Sequence, residues 1–214
     1  MSRTLKTDIP GPDRRVTLAD VREKGWPALF APELAAPLDR LVVEIGFGRG
    51  EFLRSLAAAA PGVPHLGVEV SRKRVLKMAR RIAKAGDPNI RLVCGAGEAV
   101  VQEALADGSV AAFWINYSDP WPKSRHHRRR LVQAPLVRQL AKRLAPGGWL
   151  HVATDHPGYA AHIHGVLCDE SLLENANAPL PHLEEVAGRP ITAYEAMWRA
   201  EDRALHFFDY RRRA

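Results

Sequence analysis

The stretch SDPWPKSRHHRRR, residues 118–130, sets one carboxylate, Asp119, against a Pro-Trp-Pro segment and then a dense run of cations. Pro120 and Pro122 each fix φ and restrict the residue before them, so the segment resists helix formation and can hold Asp119 in one place. A fixed acid suits a displacement whose nucleophile and electrophile must be held at near-attack distance, where positioning is worth roughly 7–11 kcal/mol. Trp121 can stack on a nucleobase or simply pack its own loop, while Trp114, inside an apolar run, reads as core. Arg125, Arg128, Arg129 and Arg130 can take the phosphates flanking a splayed-out nucleotide. A charge run is usually solvated surface, but concentration beside a rigid loop favours a polyanion.

A second cluster lies upstream. EIGFGRGEF places Gly46, Gly48 and Gly50 just after an apolar run, where glycine lets backbone come close to a ligand. The dinucleotide fingerprint would need a third glycine at 51, where Glu51 stands, so a nicotinamide dinucleotide is disfavoured. Glu44 inside the run and Glu69 at the end of the next would repel a pyrophosphate but attract a cationic sulfonium and its amino group. Glu69 also suits the two hydroxyls of a ribose. S-adenosylmethionine meets these demands.

Both clusters need a frame. LVVEIGF, HLGVEV, IRLVCG, VAAFWINY and WLHVATD read as strands, and EFLRSLAAAA, SRKRVLKMARRIAKAG, EAVVQEALADG and LVQAPLVRQLAKRL as helices between them. That alternation predicts an α/β fold with a mostly parallel sheet covered on both faces. APGG marks a turn. Beyond residue 157, GYAAHIHGVLCDE and TAYEAMWRAEDR suggest helices, ENANAPLPHLEEVAGRP a long loop, and ALHFFDYRRR a strand at the sheet edge or interior. Residues 1–38, rich in Pro and mixed charge, read as a mobile basic arm, leaving 39–214 as the folded domain.

The chain has 214 residues, a net charge of +7 and a pI near 9.8; five positive charges fall in residues 121–130, which contain no acid. Such a balance points to nucleic acid. Arg72, Lys73, Arg74, Lys77, Arg80 and Arg81 sit on a helix with an apolar face and read first as solvated surface. Cys94 and Cys168 match neither a disulfide framework nor a zinc spacing. His126–His127 and His162–His164 do not share a helical face as ligand pairs would, so no metal is expected. No leader or membrane-spanning run is evident, and the expected setting is the cytoplasm.

EIGFGRGEF, GVEV, NIRLVCG, SDPWPKSRHHRRRL, LAPGGWLHVATD and TAYE together, in order over about residues 40–213, resemble the bacterial tRNA (guanine-N7-)-methyltransferase family. The resemblance implies a Rossmann-like class I methyltransferase fold with a seven-stranded sheet and helices on both faces. It also implies S-adenosylmethionine as cofactor, a guanosine in the tRNA variable loop as substrate, and a monomer or weak homodimer. Glu44 and Glu69 match the family's cofactor-binding acids, and Asp119 the residue with cofactor-contacting and catalytic roles. Lys123, Asp155 and Thr192, Ala193, Tyr194 and Glu195 match its substrate-binding positions. Ala96 stands where the family has an acid near the adenine, Glu98 being the nearest carboxylate, and Ala193 replaces a lysine. Because guanine N7 carries an in-plane lone pair, no general base is needed; Glu195 or Asp155 would accept from the N1 and N2 edge as charge moves onto the ring. The alternatives are methylation of an exocyclic amine of another RNA base, and a non-catalytic RNA-binding relative.

Overall fold

The computed structural model describes residues 7–214, in two compact units that meet in sequence at Leu105 and Ala106. The first unit contains β1 (Arg15–Val16), α1 (Leu18–Lys24), α2 (Trp26–Phe30), β2 (Val42–Ile45), α3 (Glu51–Ala59), β3 (His65–Glu69), α4 (Arg72–Ala85), β4 (Ile90–Cys94) and α5 (Gly97–Glu103). Its strands run in the order β1-β4-β3-β2, all parallel. All five residues of β3 are buried, so both of its faces are covered. Val75, Met78, Ala79 and Ile82 of α4 pack with Leu53 and Ala57 of α3 and with Ile90 and Leu92 of β4. Asn89 closes the C-terminal end of α3, its amide donating to the carbonyls of Ala57, Ala60 and Val63 at 2.9–3.1 Å, which satisfies acceptors the helix itself leaves open.

The second unit holds β5 (Val110–Asn116), a 3-10 helix (Ser124–Arg129), α6 (Ala134–Arg143), β6 (Leu144–Thr154), α7 (Pro157–Cys168), β7 (Leu173–Asn175), α8 (Ala193–Ala200) and β8 (His206–Arg212). Its order is β5-β6-β8-β7; β5 and β6 are parallel, and β8 is antiparallel to both of its neighbours. β8 is therefore the interior strand of the two places open to ALHFFDYRRR. The turn expected at APGG is instead an irregularity within β6, where the register to β5 slips between Val110 and Ala112. The expected loop yields its first two residues, Glu174 and Asn175, to β7 and is pinned by a bridge from Leu183 to Phe207.

Two expectations need correcting. The described residues contain eight strands rather than seven, β1 being the addition. Residues 7–38 do not form a loose arm; residues 1–6 lie outside the described set. Thr17 caps α1 through a reciprocal capping box with Asp20, and Val21, Trp26 and Phe30 are buried. Arg91, 5% exposed, provides the anchor. Its Nε donates to the carbonyl of Leu29 at 2.9 Å, it pairs with Glu33, and its guanidinium lies 4.8 Å from the Phe30 ring centre. Glu33 also pairs with Arg14. The mixed charge of this segment forms ion pairs within it, and Glu33 carries one of them onto β4 through Arg91.

Phe30→Ala should lower unfolding free energy by about 3–5 kcal/mol in denaturant titrations, an effect a detached arm would not show. Burial lowers the proton affinity of His65, His182 and His206, and the neighbouring His182 charge adds to the effect at His206. Each therefore binds a proton more readily unfolded than folded. Thermal stability should stay level above their ordinary value of 6.5 and fall as pH drops below it, and His65→Gln or His206→Gln should flatten that slope.

Candidate active site

In the first unit, the parallel strands bring the tips of β2, β3 and β4 to one end. Glu44 faces Gly67 in register, placing it on the same face as Glu69 and two residues deeper. Both are buried. Beyond β2 the chain turns through Gly46, Gly48 and Gly50 at φ 77°, 56° and 76°, a left-handed path that disfavours any side chain. A Cβ on Gly50 would lie 2.3 Å from Met78 Sδ, so this glycine also lets the loop seat on α4. A Cβ on Gly46 would meet no atom within 4 Å, so the loop is open there toward a ligand.

Glu69 ties the loop down. Gly48 N–H donates to one carboxylate oxygen at 3.0 Å and Ser71 N–H to the other at 2.9 Å, with Arg74 at 3.5 Å. A carboxylate offers about four lone-pair positions, so two backbone donors leave acceptor capacity for a ribose. Val70, next along, is 71% exposed; this apolar strand tip suits the flat face of a purine and went unnoticed in the sequence. Ala96 is exposed at the N-cap of α5 without a side-chain cap, and Glu98 is exposed in that helix's first turn. Gly97 is required here because a Cβ would lie 2.4 Å from Ile45.

In the second unit, β5 delivers Ser118 and exposed Asp119 between two aromatic residues with positive φ, Tyr117 at 53° and Trp121 at 44°. Left-handed backbone at bulky residues costs of order 1–3 kcal/mol each and survives only when the surroundings enforce it. Arg130 and Tyr159 do so. Arg130 Nε donates to the carbonyl of Pro120 at 2.8 Å and Nη1 to that of Gly158 at 3.4 Å, while its guanidinium lies 4.9 Å from the Tyr159 ring centre. Tyr159 Oη accepts from Val132 N–H at 3.0 Å and lies 3.2 Å from Ser118 Oγ. Burial raises the Tyr159 phenol's pKa, keeping it protonated.

Arg130 is thus a correction. It is 4% exposed and holds the turn from beneath instead of presenting a phosphate contact. Its neighbours differ. Lys123, Arg125, Arg128 and Arg129 are exposed, and among the described residues none has a carboxylate within 4 Å. Three residues per turn bring His126 and Arg129 of the 3-10 helix to one side. There they flank Trp121, at 5.7 Å ring to ring and 5.0 Å guanidinium to ring.

Asp155, just past β6, is half-buried and 3.3 Å from Arg203. Glu195 is 2% exposed, and both its oxygens are engaged, one by Arg189 and the other by Arg199 at 3.1 Å. Arg189 in turn donates to Asn116 Oδ1 at 2.7 Å and so fastens α8 to the tip of β5. The expectation that Glu195 offers its carboxylate to the guanine edge is not met in this structure. Burial and the Glu195 charge push the pKa of Tyr117 upward. Thr192 caps α8 by accepting from Glu195 N–H at 3.0 Å, and Tyr194 is exposed and stacked on Trp198. Ala193 opens the helix; its side chain lies outside the described residues. Among the described residues, no group of three His, Cys, Asp or Glu is placed to hold a metal ion, and no helix is long and apolar enough to cross a membrane.

Arg130→Ala removes the donor to the carbonyls of Pro120 and Gly158 together with the guanidinium packed on Tyr159, and should cost about 1–3 kcal/mol in denaturant titrations. Arg128→Ala, exposed two residues earlier, should stay within about 0.5 kcal/mol of the parent.

Known proteins share this arrangement of sequence and fold. The chain matches, over residues 39–208, the family model described as "Putative methyltransferase". It is 42% identical over 179 residues to the tRNA (guanine-N(7)-)-methyltransferase of Bordetella pertussis, an alignment covering 79% of this chain and 68% of that protein. It is 37% identical over 222 residues to the protein of the same name from Mycolicibacterium paratuberculosis, covering 94% and 85%. The crystal structure of the 16S rRNA methyltransferase KamB superposes with a TM-score of 0.65 at 17% identity, covering 90% of this chain and 94% of that one, and shows the Rossmann-like class I methyltransferase fold. With its acid-tied glycine loop and its clamped Asp-Pro-Trp-Pro turn, the chain belongs to the family of S-adenosylmethionine-dependent tRNA (guanine-N7-)-methyltransferases.

Proposed function

We propose that this chain transfers the methyl group of S-adenosylmethionine to N7 of a guanosine in tRNA, with the variable loop as the target. The observation that carries this is the clamped turn: an exposed carboxylate, Asp119, held by Arg130 and Tyr159 between two strained aromatic residues and followed by three exposed arginines without carboxylate partners. The first unit has what the cofactor requires. Gly46 is open toward a ligand, Glu69 keeps acceptor capacity under the loop, Glu44 places a second buried carboxyl on the same face, and Val70 presents an apolar surface.

When bound, S-adenosylmethionine would supply an electrophilic methyl carbon to guanine N7, with the thioether as leaving group. The lone pair of N7 lies in the ring plane, so no residue needs to remove a proton before attack. The protein's work is positioning and stabilisation of the positive charge that develops on the purine. Asp119 orients the reacting groups from its fixed turn. Trp121 offers a face for a base, and Arg125, Arg128 and Arg129 take flanking phosphates. Asp155 is better placed than Glu195 to accept from the guanine edge, because the Glu195 oxygens are held by Arg189 and Arg199. That acceptance strengthens as the ring gains charge, so it favours the transition state over the ground state.

Labelled S-adenosylmethionine incubated with unmodified tRNA, followed by chemical cleavage at 7-methylguanosine, should give one cut in the variable loop; label at another position or atom would refute the proposal. Asp119→Ala should reduce the single-turnover rate by about 10²-fold or more. Asp155→Asn should lower the rate with little change in stability. Glu195→Ala should instead cost about 3–5 kcal/mol of stability by removing the carboxylate that pairs with the buried Arg189 side chain.

A further inference from the structure

Helix α4 (Arg72–Ala85) has seven cations in fourteen residues and no acid. Two of them are held by carboxylates, Arg74 by Glu69 and Arg80 by Asp8. Arg81 donates to the carbonyl of Arg49 at 2.9 Å. Among the described residues, no carboxylate lies within 4 Å of Arg72, Lys73, Lys77 or Lys84, and all four are exposed. Lys73, Lys77, Arg81 and Lys84 recur at intervals of four, four and three, which places them on one face. Val75, Leu76, Met78, Ala79 and Ile82 are buried on the opposite side. The cationic stripe therefore points away from the core.

Helix stability alone does not account for this pattern. Lys73 and Lys77, and Lys77 and Arg81, are like charges four apart, which weakens a helix. Arg72, Lys73 and Arg74 occupy the first turn, which contains no acid and whose dipole disfavours cations. A local rule broken twice on a well-packed helix marks a surface kept for another purpose. The stripe also lacks any large apolar side chain, as every one on α4 is buried. It has neither the apolar anchors of a protein interface nor the apolar face of a membrane-lying helix. What remains is a partner bound through charge alone, and a nucleic-acid backbone is such a partner.

We infer that the exposed face of α4 is a second phosphate-binding surface, which grips the backbone of the RNA away from the nucleotide being methylated. The inference rests on tRNA being the substrate. Lysines suffice here because a backbone grip needs positive charge near phosphates and no reading of a base edge. The glycine loop rests on Met78 of the buried face and on Arg81, whereas Lys73, Lys77 and Lys84 lie on the exposed face. Loss of these lysines should therefore weaken substrate binding without changing the reacting groups.

The test is the combined Lys73→Ala, Lys77→Ala and Lys84→Ala variant, with the matching Lys→Arg variant as control. Arg81 stays intact because it supports the cofactor loop. Binding of unmodified full-length tRNA, measured against salt, should lose about 2–3 units of slope in the alanine variant and almost none in the arginine variant. KM for full-length tRNA should rise while kcat holds. A short RNA with only the variable loop and its adjoining stem should bind parent and variant alike. An unchanged salt slope would overturn the inference, and so would equal losses on both RNAs, since the stripe would then act at the target itself. If the parent binds tRNA but forms no 7-methylguanosine, the proposed activity fails while the slope comparison still decides the stripe.

Discussion

A guanidinium withdrawn from water holds the chemistry of the second unit in shape. Arg130 spans the carbonyls of Pro120 and Gly158 over the Tyr159 ring, and Tyr159 reaches back to Ser118. Without that support Tyr117 and Trp121 would relax out of their left-handed conformations, and Asp119 between them would lose its fixed position. The two prolines narrow the choices of the turn, but they do not say which choice is made. Arg130 selects it. The same run thus divides its cations, one turned inward to shape the backbone and others exposed to solvent.

The first unit solves a similar problem with the opposite charge. Glu69 accepts from Gly48 and Ser71, so one buried carboxylate fixes both the loop after β2 and the start of α4. Helix α4 answers from below, with Met78 under Gly50 and Arg81 on the carbonyl of Arg49. The loop is held from both sides while Gly46 stays open. In each unit a buried charged residue, Arg130 in one and Glu69 in the other, sets the geometry of the loop beside it.

Much of this was legible in the residues. The β-branched runs ending in glycine or an acid identified β2 to β6, since period and composition agree there. Glu44, Glu69 and Asp119 fell at strand tips as expected. Arg130 was misassigned because its type and neighbours match those of Arg128 and Arg129, and only its contacts with Pro120 and Gly158 set it apart. The pairing of Glu195 was hidden for a related reason. Its partner Arg189 sits in an irregular stretch with no period, so nothing in the order of residues announces that the two will meet. The segment before residue 38 looked solvated because its charges pair with one another and with Arg91 across long separations in sequence, which composition cannot register.

The Arg14, Glu33 and Arg91 network bears on where the protein can be divided. The family model begins at residue 39, but Arg91 in β4 finds its carboxylate in Glu33, together with the carbonyl of Leu29 and the ring of Phe30. A polypeptide trimmed to residues 39–208 would keep the guanidinium and lose its counter-charge, the Leu29 acceptor and its aromatic cover together. The first residue of the family model thus falls inside a packed network rather than at its edge.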